Sequence, residues 1–414
     1  MRSHTRVLIA SIFGNALEFY NLTLYGFFVV TIAETFFPSD SALFSLISSL
    51  SVYAIGFVVR PLGAILFGHI GDTWGRRKAL GLSILIMGIP SIIIAFLPGH
   101  DHIGFWAPTL LILCRAVQGL CSGGEFNGAT IFALEHLGKK NPGFAGGLIV
   151  GSCLLGSLLA LGIATILQSL DIFTWGWRIA FFLGGSASFY GLYIRKKMEE
   201  SPVFAILQKE DKIDRQPLKT ALSTHLRSCF LVFSIAAFDG ALTYTLVTFL
   251  VVYTTVSLHI PEAQAMHYNF FGVLSCMLAC PLSGYLADQY GVKKTLVLST
   301  LGVLFFSLPV FFLIESATPL SLITANIILG LLVGGVIGVQ PLFSQSLFPA
   351  NARYTGIAFS YSLSIGVVGG LTPLILTYLV SDGGSCFAPA FYLMGFASVF
   401  LLIMMGVGVK TKQA

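Results

Sequence analysis

Charge is what this chain has least of. Only 10% of its 414 residues are Asp, Glu, Lys or Arg, against 56% hydrophobic, and mean hydropathy is +0.87. A water-soluble core could not hide that much apolar surface, so the soluble classes are excluded. No GxxxxGK[ST] sequence precedes a helix and no loop could hold an ATP-binding domain, which excludes direct energisation by nucleotide. HExxH and GxSxG are absent too, which speaks against an intramembrane enzyme. The seven cysteines, scattered mostly through apolar runs, form no CxxC pair and no metal-ligand spacing. They read as packing residues, and neither a metal nor a cofactor is expected. The basic N-terminus lacks a small-residue cleavage site, and its long apolar run carries Asn15, Glu18 and Asn21. It reads as a retained first helix rather than a signal peptide.

What remains is apolar and periodic. A spanning helix needs about 20 mostly apolar residues. Twelve such stretches are legible, at 9–37, 43–67, 79–98, 107–134, 143–168, 177–195, 227–257, 264–287, 294–315, 319–347, 354–380 and 387–409. The net charge of +5 does not point to nucleic acid, because of where the basic residues stand. With the N-terminus in the cytoplasm, all of the 23 except Arg60, Arg115 and Arg178 fall on the cytoplasmic side, and both termini lie inside. Trp106, Trp175 and Trp177 precede the fourth and sixth spans and read as an outer interfacial belt.

One charged segment occurs twice, as Gly68-His69-Ile70-Gly71-Asp72-Thr73-Trp74-Gly75-Arg76-Arg77-Lys78 and as Gly284-Tyr285-Leu286-Ala287-Asp288-Gln289-Tyr290-Gly291-Val292-Lys293-Lys294, 216 positions apart. The repeat predicts two equivalent halves: a six-helix bundle at 1–195, a hinge-like cytoplasmic linker at 196–226, and a second bundle at 227–414. As a cytoplasmic gate, Asp72 and Asp288 are suited to accept backbone donors at a helix N-terminus. Arg76, Arg77 and, in the second copy, Lys293 are suited to acids such as Glu135. Topology signalling alone would explain the positive charges but not the Asp and the glycines.

A charge near the bilayer centre costs about 2.5 to 3.5 kcal/mol on insertion scales, so each one asks for a partner, a wet cavity or a task. Glu18, Arg60, Arg115, Glu125 and Asp239 stand out. Arg115, Gln118, Ser122 and Glu125 share one helical face, among glycines that admit a close neighbour helix. Arg115 and Glu125 lie about 15 Å apart along the axis, too far to pair with each other. Asn15, Glu18, Asn21 and Tyr25 form a similar stripe in the first span. Arg60 suits a substrate carboxylate, and equally a counter-ion for Glu18. Glu18, Glu125 and Asp239 are the proton-coupling candidates, and His267 in the span after Asp239 offers a relay. Arg60, Arg115, Gln118, Tyr25 and Asn21 are the substrate-binding candidates. A purely structural charge network is the competing reading for all of them.

The two charged loops resemble the signature of the major facilitator superfamily, and Arg115-Ala116-Val117-Gln118-Gly119 resembles its RxxQG motif. More narrowly, Gly14-Asn15-Ala16-Leu17-Glu18-Phe19-Tyr20-Asn21, Arg60-Pro61-Leu62-Gly63, Gly123-Gly124-Glu125, Trp175-Gly176-Trp177-Arg178 and Glu199-Glu200-Ser201-Pro202 are similar to the metabolite:proton symporter family. The resemblance implies an all-α major facilitator fold of twelve transmembrane helices in two pseudo-symmetric six-helix bundles. It also implies a monomeric carrier of a bacterial inner membrane that imports a small carboxylate or zwitterion, proline/betaine-like or an organic acid, with a proton. Three departures qualify it. Members carry an aspartate where this chain has Asn21, which cannot titrate, and an acid where it has Ser346. The chain also stops soon after the twelfth span, so osmotic gating of the coiled-coil kind is not expected. An exporter or uniporter is the alternative that the loss at position 21 favours. A sensor that binds without transporting is the alternative of another class.

Overall fold

The computed structural model describes residues 2–138, 141–170, 172–380 and 385–406. Among these residues every regular element is a helix. Lys139, Lys140, Lys410 and Lys412, which contributed to the charge asymmetry, lie outside them, as does the expected end of the last span at 409.

Among the described residues ten helical stretches are long and apolar enough to cross a membrane: Thr5–Phe27, Ile47–Thr73, Arg76–Phe96, Pro142–Leu167, Leu226–Val256, Glu262–Tyr290, Val292–Glu315, Pro319–Ser346, Arg353–Val380 and Ala388–Gly406. Trp106–Leu137 (32 residues) and Phe173–Lys196 (24 residues) are comparably long. They complete the twelve expected spans, in the order the hydropathy gave.

Several local features depart from expectation for identifiable reasons. The repeated segments are hardly loops. The helix Arg60–Thr73 carries Asp72 inside its last turn, and Glu262–Tyr290 does the same for Asp288. The reversal is made at Gly75 (φ 113°) and Gly291 (φ 92°), a backbone region that β-carbons disfavour. The linker is two short helices, Pro202–Lys209 and Pro217–Thr224, in which Phe204 and Ala221 are buried. Trp177 is not a belt residue: it is fully buried, edge-on to Phe36 and Phe181, while Trp106 and Trp175 are exposed. Two spans contain π-turns, Thr245–Phe249 and Ile365–Gly369, a local widening associated with functional sites.

The described residues divide into two compact units. Unit 1 is Met1–His136, Leu155–Lys219 and Ala350–Phe359; unit 2 is Leu137–Leu154, Thr220–Pro349 and Ser360–Ala414. Each is built largely from one half of the chain and takes in one short segment of the other half.

Candidate functional site

The fourth span, Trp106–Leu137, carries the charged face expected from its sequence, with Arg115, Gln118, Ser122 and Glu125 all buried. Its glycines let the second span ride on it backbone to backbone: a β-carbon at Gly119 would stand 2.4 Å from the Gly56 carbonyl oxygen, and one at Gly123 2.1 Å from that of Arg60. The close approach expected from these glycines is therefore present, and it carries Arg60 and Tyr53 to the charged face. All five intramembrane charges are buried, none more than 6% exposed.

Arg115 lies over the faces of Tyr25 (4.6 Å) and Tyr53 (5.4 Å) and donates from Nη1 to Gln118 Oε1 at 2.9 Å. Gln118 continues the chain to Ser91 Oγ, which donates to Asn21 Oδ1, both at 2.9 Å. Four of the five substrate-binding candidates thus form one network. Yet Arg115 Nε and Nη2 have no partner, and among the described residues no carboxylate lies within ion-pair reach of this fully buried guanidinium. Aromatic faces attract a cation but do not neutralise it.

Glu125 is held differently. Arg195, from the sixth span, grips it with both terminal nitrogens, Nη1 at 2.8 Å to Oε2 and Nη2 to Oε1, while Ser83 donates to Oε2. Arg195 is the partner of Glu125 that sequence reasoning missed, since its place at the end of a span puts it among the cytoplasmic charges. Gly14 was the signal, because a β-carbon there would collide with the Arg195 guanidinium.

Glu18 accepts from Ser122 Oγ at 2.6 Å and stands 3.9 Å from Arg60 Nη2, so the counter-ion reading of Arg60 describes its geometry. Glu18 Oε2, Arg60 Nε and both amide atoms of Asn15 are buried without partners.

At the far end of the fourth span the repeated motif organises a second cluster. Asp72 accepts the backbone N–H groups of Tyr354 (3.3 Å) and Thr355 (2.9 Å), the first turn of Arg353–Ser364, as a carboxylate at a helix N-terminus should. Arg76 pairs with Asp72 (3.1 Å) and Glu135 (3.5 Å) and donates to the carbonyls of Gly71 and Ala350. Arg77 does not join Glu135 as expected. Its backbone N–H meets Glu200 and its guanidinium the Met198 carbonyl, because the Glu199-Glu200-Ser201-Pro202 segment docks there. Glu135 instead takes Arg353 (3.1 Å) and the Ser201 hydroxyl.

Unit 2 repeats the aspartate but not the arginine. Asp288 accepts from Gly143 N (2.7 Å) and Phe144 N (2.9 Å) at the start of Pro142–Ser169, whereas Lys293 is exposed. Asp239 accepts from Thr243 Oγ1 (2.9 Å) and Tyr361 OH (3.1 Å). The suggested relay to His267 fails: that ring is exposed and packs edge-on against Phe271.

Comparison with known proteins adds the following. A profile of the Major Facilitator Superfamily matches residues 11–370. The glycine betaine/proline/ectoine/pipecolic acid transporter OusA of Dickeya dadantii is 32% identical, over 96% of this chain and 82% of that protein. The proline/betaine transporter of Escherichia coli K12 is 30% identical over 99% and 83%. The inner membrane metabolite transport protein YhjE of the same strain is 33% identical over 98% and 94%. Among solved structures, the proton:xylose symporter XylE shares the fold with a TM-score of 0.77 at 14% identity, covering 98% of this chain and 95% of that one.

Proposed function

Because the chain belongs to the Major Facilitator Superfamily, we propose that it imports a small zwitterionic metabolite of the proline/betaine type, together with a proton, by alternating access across a bacterial inner membrane. The observation that carries the reading is Arg115. A buried cation with two free donor nitrogens and no carboxylate partner needs an anion, and a substrate carboxylate supplies one. Gln118 and Tyr25 hold the guanidinium, with Asn21 bracing Gln118 through Ser91, so that Nε and Nη2 are left for the ligand. Proline, betaine, ectoine and pipecolic acid, the compounds for which OusA is named, share a carboxylate and a positive nitrogen centre. In this reading Asp72 and Asp288, each clasping the first turn of another helix, act as catches of a gate, with Arg76, Glu135 and Arg77 around the first and Lys293 beside the second.

The test is uptake of labelled glycine betaine into proteoliposomes. An imposed proton gradient, acid outside, should drive accumulation, and a protonophore should abolish it. Uptake indifferent to the gradient would leave uniport, the second reading, which the non-titratable Asn21 favours. Substrate would then equilibrate across the membrane and show counterflow, without accumulating under the imposed proton gradient.

A further inference from the structure

We propose that Tyr53 and Phe57 of the second span, backed by Tyr25 of the first, seat the positive nitrogen of the substrate, and that their ring faces make the protein selective for a fully methylated nitrogen. The inference rests on the carboxylate-binding role given to Arg115 above.

The three rings form a corner. Those of Tyr25 and Tyr53 are nearly parallel, with 15° between their planes and centroids 5.9 Å apart, while Phe57 stands at 72° to Tyr53 with centroids at 5.3 Å. Tyr25 is fully buried and pinned by its hydroxyl, which lies 3.1 Å from both the carbonyl oxygen and the hydroxyl of Ser49. Tyr53 and Phe57, one helical turn apart, are only half-buried, so theirs are the open surfaces of the corner. Gly56, between them in sequence, is where the second span touches the fourth, and a β-carbon there would stand 3.6 Å from Arg115 Nη2. The free donor proposed for the carboxylate is therefore beside the two rings.

Cations already occupy these faces. Arg115 lies over Tyr25 and Tyr53, and Arg60 over Phe57 at 5.9 Å. The face of an aromatic ring is negative and attracts positive charge. In proline and glycine betaine a single carbon joins the nitrogen to the carboxyl group, so a carboxylate held by Arg115 keeps the nitrogen close by. Among the described residues no acid stands within ion-pair reach of Arg115, which leaves the rings to receive it.

The corner discriminates among such nitrogens. The acceptor oxygens around Arg115 are engaged: Gln118 Oε1 by Arg115 itself, Asn21 Oδ1 by Ser91, and the Ser49 carbonyl by Tyr25. An ammonium that carries N–H groups gives up water without gaining acceptors in return. A quaternary nitrogen has no N–H to satisfy and spreads its charge over methyl groups that pack against ring faces.

Calorimetric binding to the purified full-length protein tests this with ligands that share the carboxylate. Affinity should rise along glycine, dimethylglycine and glycine betaine; equal affinities overturn the proposal. tert-Butylacetate keeps the shape of glycine betaine and replaces its quaternary nitrogen by carbon. Tyr53→Leu should weaken glycine betaine about thirtyfold, the size of a desolvated cation–aromatic contact, and tert-butylacetate only about threefold, while Tyr53→Phe should bind both as wild type does. Equal losses for the two ligands overturn the aromatic seat and, where Arg115→Gln still weakens both, leave the carboxylate reading standing. Binding of both ligands by Arg115→Gln at wild-type affinity sinks that reading and the proposal with it. Should Tyr53→Leu not fold, successive fluorination of Phe57, which drains the ring face of charge and hardly alters its size, must lower glycine betaine affinity stepwise and leave tert-butylacetate unchanged. A flat response overturns the proposal.

Discussion

At the scale of single residues, the buried charges of unit 1 separate into a settled pair and an unsettled one. Glu125 and Arg195 satisfy each other, so removing either leaves the other uncompensated, at about 3 to 5 kcal/mol. Glu125→Leu and Arg195→Leu should each lower the thermal midpoint of the purified protein markedly, and the double variant should recover much of the loss. A double variant as unstable as the worse single one would mean the pair is not the unit of stability. Arg115 is the opposite case: its loss relieves the resting protein of a buried charge and, on the proposed function, deprives the ligand of an anchor. Arg115→Gln should weaken glycine betaine binding about thirtyfold, the equivalent of about 2 kcal/mol for a charge-assisted contact, with thermal stability unchanged or raised. Scintillation proximity binding reads the first effect and a melting curve the second. The buried face of the fourth span was legible in sequence because 3, 4, 3 spacing is decisive for polar residues in an apolar helix. The identity of each partner was not, since nothing along the chain says that the last turn of the sixth span returns to Glu125.

At the scale of elements, the helices were readable nearly to their ends, because apolar length is dictated by the bilayer rather than by neighbours. What hydropathy could not show are the interruptions. Arg60 heads its helix because Val59 ends the preceding one and Pro61 can occupy the first turn. The π-turn Thr245–Phe249 is supported by a side chain from the next span: Asn269 Nδ2 donates to the Leu246 carbonyl at 2.7 Å and faces Asn326 Oδ1 at 3.3 Å. Asn269→Leu strands that carbonyl and should cost about 1 to 3 kcal/mol, measured as a fall in melting temperature. Stability equal to wild type would show that the π-turn holds without its clasp. Tyr253, one turn further, donates to Glu315 at the end of Val292–Glu315, so the segment beyond the π-turn is anchored independently.

At the scale of the whole molecule, this is a multi-pass membrane transporter whose duplication is written in its chemistry as well as its length. Asp72 and Asp288 do the same thing in their own units, each accepting two consecutive backbone N–H groups at a helix start. The second copy makes the equivalence legible and sets Val292 opposite Arg76, so the missing arginine is equally plain; that Lys293 stands exposed is not. Asp72→Asn and Asp288→Asn should each slow exchange of labelled substrate severalfold while leaving detergent-solubilised protein folded by size-exclusion profile. Full exchange rates in both would overturn the gating role proposed for the motif. Each unit also borrows a segment, 350–359 for the first and 137–154 for the second. Hence two fragments cut within the linker and expressed together should co-purify, whereas either alone should be degraded.

Glu135 gathers three distant stretches of chain onto one carboxylate: Arg76, Ser201 and Arg353 all terminate on it. Such a junction fails asymmetrically. Take away one donor and the acid still has two, so the damage stays local; neutralise the acid and three donors are stranded in the same instant. Random mutagenesis of this carrier should therefore tolerate changes at positions 201 and 353 far more readily than at 135.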